Sequence, residues 1–502
     1  MRYLSKDTGL GLSDLRVAAV LIFVVLNIAV FFVRAIIIWR YGALFPFDSH
    51  LAIYPVWKGV HHLSIYEWPL SYPFSLALYN YLFYETYAFF LRLIGATGAG
   101  IMTWGRFFTA VFPIIGALAQ WKLVQSHLNL RGFRSAFSLF FALGLWFCTS
   151  IVRHWALCIR PDMGAVALIM VALYVVVRQQ RYCFAYAGVL FYLAWSFKQT
   201  VVLAFVGVCL FLLLQKRWRD ITVLVTVFLA LVTATVFLGT PEYRYDILVA
   251  PGLVKEFSLA WASQMAPKSL VSNAYWILAP IALLFAAAGR RVDNTVRMFT
   301  IILVVALAGG LVGMTKVGAW DNYLLEAFVA GSTLLQIAVF TAPGKFVSAL
   351  VIYGCIIPSI QLATVPSGPH LHRFGTVGIA TPDEYADAEA MRDRLAVMKK
   401  PIFSTDPMFS LPWISNDNHF PALLIDYPFH DATRDRCQNG CVEGMLQRGE
   451  IPTVVLDSSG DIFQSSLSPR YLKVGEVRES DKMWSIYSLN SQAPNSNVPI
   501  IK

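Results

Sequence analysis

Charged side chains are scarce in this chain: Asp, Glu, Lys and Arg make up 14% of its 502 residues, against about 25% in ordinary soluble domains. With 57% of residues hydrophobic, that shortage excludes an ordinary water-soluble globule and points to a membrane protein. Familiar catalytic signatures are missing too. There is no Walker A sequence, no H-E-x-x-H, no G-x-S-x-G and no paired C-x-x-C, so nothing suggests a P-loop ATPase, a zinc protease, an α/β-hydrolase or a structural zinc domain. Asp48 is not part of a D-x-D pair, and adjacent histidines such as His61 and His62 are more often solvated or packed on aromatic rings than metal-bound. No metal and no other cofactor is expected. A cleavable leader is not expected either, because the first apolar run, after "MRYLSKDTGLGLSDLR", lacks a small-residue cleavage site and is long enough to span. Internal repeats and low-complexity tracts are absent from the sequence. Five of the seven cysteines (Cys148, Cys158, Cys183, Cys209, Cys355) fall in or beside apolar runs and read as packing residues. Cys437 and Cys441, in "CQNGC", stand in polar sequence, where a disulfide requires a compartment outside the cytoplasm.

What the chain does have is a series of apolar runs over 15–364, each near the roughly 20 residues a helix needs to cross a bilayer. The spacing predicts eleven spans: 15–38, 102–121, 136–152, 163–178, 184–197, 199–214, 221–240, 271–288, 298–315, 323–340 and 345–364. The connections "KLVQSHLNLRGFR", "RQQRY", "QKRWRD" and "GRRVDNTVR", with "TAPGK" as a weaker fifth, carry the basic residues and are assigned to the cytoplasm. The N-terminus is then inside and the C-terminus outside. The net charge of +10 is accounted for by such loops, and with no RNA- or DNA-binding motif no nucleic-acid partner is expected. Residues 76–94 are long enough to span, but Asn80, Glu85, Arg92 and the tyrosines among them suit a juxtamembrane helix on the outer face. The run 184–214, interrupted by "KQT" and basic at both ends, must cross twice as two short helices meeting at Lys198.

This topology gathers polar groups on one membrane face: Asp48, Arg106, "RHWALCIRPD" (153–162), Lys198 and "KVGAWDNY" (316–323) all fall at extracytoplasmic helix ends. An ionisable side chain at membrane depth costs about 2.5–3.5 kcal/mol, so each is a candidate for function. Taken singly, Arg153 or Lys316 reads equally well as a snorkelling side chain. Arg160, Asp162 and Lys198 together read as a site. Asp48 suits a general base that takes a proton from an acceptor hydroxyl. Arg106, Arg160, Lys198 and Lys316 suit a cationic cluster for a departing phosphate, and His50, Tyr72, Asp162, Asp321, Asn322 and Tyr323 complete the candidate binding residues. Tyr54, Trp57, His61, His62, Tyr66, Glu67 and Trp68 in the loop 41–75 fit either a sugar pocket or an interfacial belt. Beyond 364 the chain turns polar. Residues 381–400 carry helix signals, with Thr381 as N-cap, and "PIFST", "PALLIDY", "PTVVLD" and "MWSIYSL" read as strands of a small extracytoplasmic α/β domain.

The arrangement resembles the GT-C superfamily of membrane glycosyltransferases, among them protein O-mannosyltransferases, lipid A aminoarabinose transferases and bacterial polyprenyl-phosphate-mannose transferases. The resemblance is carried by Asp48 after the first span, "WPLSYPFSLALYNYL", "GRFFTAVFP", "RPD" at 160–162, "KQT" at 198–200 and "DNYLLE" at 321–326. It implies a polytopic α-helical catalytic domain over 1–364, with a large extracytoplasmic loop at 41–100, followed by the domain 365–502. It also implies a polyprenyl-phosphate-linked sugar donor, a lipid, glycan or protein acceptor, and action at the outer face of the cytoplasmic membrane. Asp48 becomes the catalytic base, Arg160, Asp162 and Lys198 surround donor phosphate and acceptor, and Arg106 positions the loop. The sequence departs from the common pattern at Asp48-Ser49, where many relatives have Asp-Glu, and at Tyr72-Pro73-Phe74, where a double proline is usual. A transporter or flippase of a lipid-linked glycan would also gather cations and aromatics in a membrane cavity. It would be expected to show inverted repeats and polar residues near helix midpoints, whereas here the charges cluster at helix ends. A membrane anchor for the C-terminal domain would need only one or two spans.

Overall fold

The structure, a computed structural model, describes residues 21–36, 50–341, 372–379, 386–404, 437–457 and 462–490, except 27, 30, 34, 73, 99, 150, 153–154, 254–256, 287–291, 317–318, 375–376, 387–389, 392, 438–439 and 480–481. The labelled helices are α1 (Leu21–Val33), α2 (His50–Val60), α3 (Tyr81–Leu93), α4 (Gly100–Leu128), α5 (Gly132–Cys148), α6 (Asp162–Arg178) and α7 (Cys183–Phe197). They continue as α8 (Leu203–Leu214), α9 (Trp218–Leu238), α10 (Leu259–Ser272), α11 (Asn294–Gly313), α12 (Leu325–Thr341) and α13 (Cys441–Arg448). Among the described residues four helices are long and apolar enough to cross a membrane: α4, α9, α11, and α12 together with the 3-10 turn Asp321–Leu324 that leads into it. Shorter apolar helices include α1, α5, α7 and α8. The last expected span, 345–364, lies outside the described residues.

Local sequence explains where these helices begin and stop. α3 has 13 residues, about 20 Å at 1.5 Å per residue, well short of a ~30 Å hydrocarbon core. Its start is fixed by Asn80, whose Oδ1 accepts the Tyr81 N–H at 3.0 Å. α4 runs seven residues past the expected end at 121, because "KLVQSHL" holds good helix formers and no breaker until Asn129, which adopts a positive φ of 52°. The expected span 271–288 is in pieces instead. α10 ends at Asn273, and the short helices Ala274–Ile277 and Ala279–Ala286 follow, with Pro280, which has no N–H, near the start of the second. α7 and α8 part at Lys198 as expected, since Thr200, Val201 and Val202 are β-branched and poorly helical.

Inside the bundle one polar network locks three helices. Gln120 of α4 donates to Gln336 of α12 at 2.8 Å and accepts from Trp146 of α5 at 2.8 Å and from Ser332 of α12 at 3.1 Å. Gln336 in turn donates to the carbonyl and hydroxyl of Ser138 at 2.8 and 2.7 Å. Such groups are costly in an apolar interior unless paired, and their pairing fixes the helices' mutual register. Trp146 fits only because position 116 is glycine, where a Cβ would sit 2.3 Å from its ring.

The C-terminal domain carries a small hairpin, β1 (His372–Phe374) with β2 (Val377–Ile379), and a four-stranded sheet. Its strands are β3 (Ile402–Ser404), β4 (Thr453–Asp457), β5 (Tyr471–Glu479) and β6 (Lys482–Leu489), in the order β3-β4-β6-β5, with β3 parallel to β4 and the other pairs antiparallel. "PIFST", "PTVVLD" and "MWSIYSL" are thus strands. β5 was not anticipated, and "PALLIDY" and Thr381 lie outside the described residues. Cys437 and Cys441 are joined in a disulfide. Phe74, from the loop between α2 and α3, belongs to the same buried core as Phe403, Val442, Leu446, Val454 and Leu456. The C-terminal domain therefore grips that loop. Replacing Phe74 by Ala should remove about 3–5 kcal/mol of packing. Limited proteolysis should then cut within 372–490 markedly faster than in the wild type, and equal cleavage rates would show that Phe74 is no anchor.

Candidate active site

The chain from 155 to 162 folds as a 3-10 turn, Trp155–Leu157, and then enters α6 through Arg160, Pro161 and Asp162. A carboxylate in the first turn of a helix is favoured by the helix dipole. Asp162 is 1% exposed. Its Oδ1 accepts from Lys198 Nζ, with which it forms a buried ion pair, and from Asn322 Nδ2 at 3.0 Å. Lys198 stands at the break between α7 and α8 and faces the Tyr323 ring at 5.8 Å. Arg160 lies over the Trp155 ring at 5.2 Å and donates to the Tyr79 hydroxyl at 3.2 Å. Trp155 donates its indole N–H to Asp321 at 3.0 Å. Asp162, Lys198, Thr200, Asn322, Tyr323 and Glu326 line one pocket.

Five expected site residues are thus joined: Arg160, Asp162, Lys198, Asn322 and Tyr323, with Asp321 attached through Trp155. Others are placed elsewhere. Arg106 is buried in α4 and is not among the residues lining the pocket. Lys316 donates to the Pro251 carbonyl at 3.2 Å, and its backbone bridges Phe257, so it ties the segment before α10 in place. Tyr72 is exposed beside Phe74, with ring centroids 6.4 Å apart. His50 opens α2. Asp48 lies outside the described residues. Tyr54 and Trp57 are buried and stacked on each other at 5.5 Å, a packing arrangement and not a lining. Among the described residues no group of three or more His, Cys, Asp or Glu is arranged to hold a metal.

A second charged cluster sits between α2, the loop that follows it and the π-helical turn Tyr245–Val249. Lys58, 1% exposed, donates to Ser75 at 2.8 Å and pairs with Glu67 at 3.1 Å. Asp246, fully buried, accepts the Ala77 N–H at 3.1 Å. Burial pushes the Asp246 carboxyl up to about 8, opposed by the Ala77 bond and by Lys58 and reinforced by Glu242 and Glu67. Burial also lowers Lys58, with Glu67 pulling the other way. The sequence gives little warning of this cluster, because Lys58 and Asp246 lie far apart in the chain and neither belongs to a motif.

No protein-family model and no curated protein matches the sequence. The fold, however, is shared with solved structures of ArnT. The structure superposes on ArnT from Cupriavidus metallidurans bound to undecaprenyl phosphate with a TM-score of 0.59 and 11% identity, over 91% of this chain and 97% of that one. Against the apo form the TM-score is 0.60, again with 11% identity, over 93% and 98%. The archaeal oligosaccharyltransferase AglB from Archaeoglobus fulgidus aligns at a TM-score of 0.46, with 10% identity over 86% of this chain and 69% of its own.

The Asp246 shift has a definite sign. Its folded-state value, about 8, lies above the ordinary 3.8, so the folded protein holds that proton more tightly than the unfolded chain. The resulting stability is complete below the unfolded value and is lost as pH rises through about 8. Lys58, being lowered, acts in the opposite sense on the alkaline side. Asp246→Asn, which cannot ionise, should flatten the decline in thermal midpoint between pH 5 and 8 measured in detergent. An unchanged slope in the variant would mean that Asp246 is not the titrating group.

Proposed function

We propose that this protein is a glycosyltransferase that moves a sugar from a polyprenyl-phosphate-linked donor to a lipid, glycan or protein acceptor at the outer face of the cytoplasmic membrane. The observation that carries the reading is a fold shared with an undecaprenyl-phosphate-bound ArnT along nearly the whole of both chains, with an ionic cluster built where several helices end. In this reading Asp48 takes the proton from the acceptor hydroxyl as its oxygen attacks the anomeric carbon. The bond from that carbon to the phosphate oxygen breaks, and the polyprenyl phosphate leaves with the electron pair. Arg160 and Lys198 face the charge that develops on it. Neither a nucleotide sugar nor a metal is required. The disulfide between Cys437 and Cys441 supports an extracytoplasmic C-terminal domain.

Asp48→Asn should fold and insert normally yet turn over about 10²–10⁴-fold more slowly, because an amide cannot accept the proton. Near-normal turnover by the purified variant on its lipid-linked donor would remove Asp48 from the mechanism. The membrane orientation is tested separately. In a background without native cysteines, Gly95→Cys and Gln199→Cys should react with an impermeant thiol reagent added to intact cells. Gln180→Cys should react only after the membrane is opened. Labelling of Gln180→Cys in intact cells, with none at Gln199→Cys, would carry "RPD" to the wrong face.

A further inference from the structure

Four residues of the hexapeptide 321–326, "DNYLLE", each contact a different element in or beside the pocket. Asp321 receives the Trp155 indole, Asn322 donates to Asp162, and the Tyr323 ring faces the Lys198 ammonium. Glu326, 4% exposed, reaches across to the start of α8. Its Oε2 accepts the Ala204 N–H at 2.7 Å from a position 122 residues away, and the Leu203 and Val202 amides face the same carboxylate. Val202, the residue before α8, makes no side-chain capping bond of its own. The first amides of a helix have no partner within it, and in an apolar interior water does not replace one. Glu326 fills that need.

We propose that Glu326 is a positioning residue: by capping α8 it fixes the turn 198–202, and through that turn it holds Lys198 against Asp162. Lys198 is anchored to the end of α7 by the bond from its N–H to Ala194 at 3.1 Å, and Val201 N–H closes the turn on the Lys198 carbonyl at 3.1 Å. With both ends of the turn pinned, the Lys198 backbone is held where its ammonium meets Asp162. The importance of this for sugar transfer rests on the donor-site reading above; the geometry does not.

The purified full-length protein is treated with a small amine-reactive ester, and modification at Lys198 and at Lys58, a buried reference outside the pocket, is quantified by mass spectrometry. Glu326→Ala should raise the labelling rate of Lys198 about tenfold, the scale of losing a helix cap, and leave Lys58 unchanged. Glu326→Gln keeps an acceptor oxygen and should stay within about threefold of wild type. Glu326→Asp, one methylene short, is the second variant should the alanine protein not accumulate, and should expose Lys198 in the same direction. Unchanged Lys198 labelling in the shortened variants, or a parallel rise at Lys58, would overturn the proposal. Affinity for undecaprenyl phosphate, measured on the same samples, should fall in Glu326→Ala and hold in Glu326→Gln. Wild-type protein that does not bind it would sink the donor reading, while the labelling would still judge Glu326.

Discussion

A helix interrupted inside a bundle leaves amides and carbonyls without their helical partners, and those shielded from water must find one in the protein. The interruption between α7 and α8 imposes that constraint here, and the surrounding architecture answers it. Gln199 reaches the Leu78 carbonyl at 2.7 Å, tying the break to the extended segment before α3. Glu326 takes the amides on the other side. The break also delivers a lysine to the mouth of α6, where a buried carboxylate meets it. Removing one member of a buried ion pair costs far more than the pair is worth, because the other charge is stranded. The site and the local fold are therefore coupled: the break that Gln199 ties and Glu326 caps is the one that delivers Lys198 to Asp162.

The same logic operates in the loop between α2 and α3, which has few backbone partners of its own. Three contacts of different kinds hold it. Tyr66 donates its hydroxyl to the Tyr79 carbonyl at 2.9 Å, Asp246 takes the Ala77 N–H, and Phe74 is buried in the C-terminal core. Two of these reach far along the chain, 169 residues in the case of Asp246. The polar C-terminal domain thereby contributes to the order of the segment that follows α2. Its role was not readable from its own residues; it became visible only in what it touches.

Much of the site was legible because its residues break a local rule. Lys198 stands out in an otherwise apolar run, and Arg160 and Asp162 stand out at the edge of the next. α3, expected as a juxtamembrane helix from its tyrosines and Asn80, is a 13-residue helix begun at Asn80. Glu326, Lys58 and Asp246 were not singled out, although Glu326 sits inside a quoted motif, because a carboxylate near a helix start is an ordinary sight. What makes Glu326 unusual is that it caps a helix other than its own, and a one-dimensional pattern does not carry that. Hydropathy failed in a similar way over 271–288. The window is mostly apolar, yet Asn273 and Pro280 divide the backbone into short helices. Arg106, buried in α4, and Lys316, bonded to the Pro251 carbonyl, are not among the residues lining the pocket with Lys198.

The pairing of Lys198 with Asp162 also changes how the cationic cluster should be understood. A lysine locked to a carboxylate acts at a distance as a dipole, and its pull on an anion falls much faster than that of a lone charge. Arg160 is placed differently. Its guanidinium is laid over Trp155 and bonded to the Tyr79 hydroxyl, and its charge also acts on the Asp162 carboxylate. A planar donor fork held in this way suits two-point recognition of a phosphate. On the proposed reading, Arg160 and Lys198 both meet the donor while already under the influence of Asp162. Lys198 acts at close range, when an incoming oxygen can compete with Asp162 for its ammonium. That both cations converge on one carboxylate is a feature of three-dimensional placement that counting arginines and lysines along the sequence could not reveal.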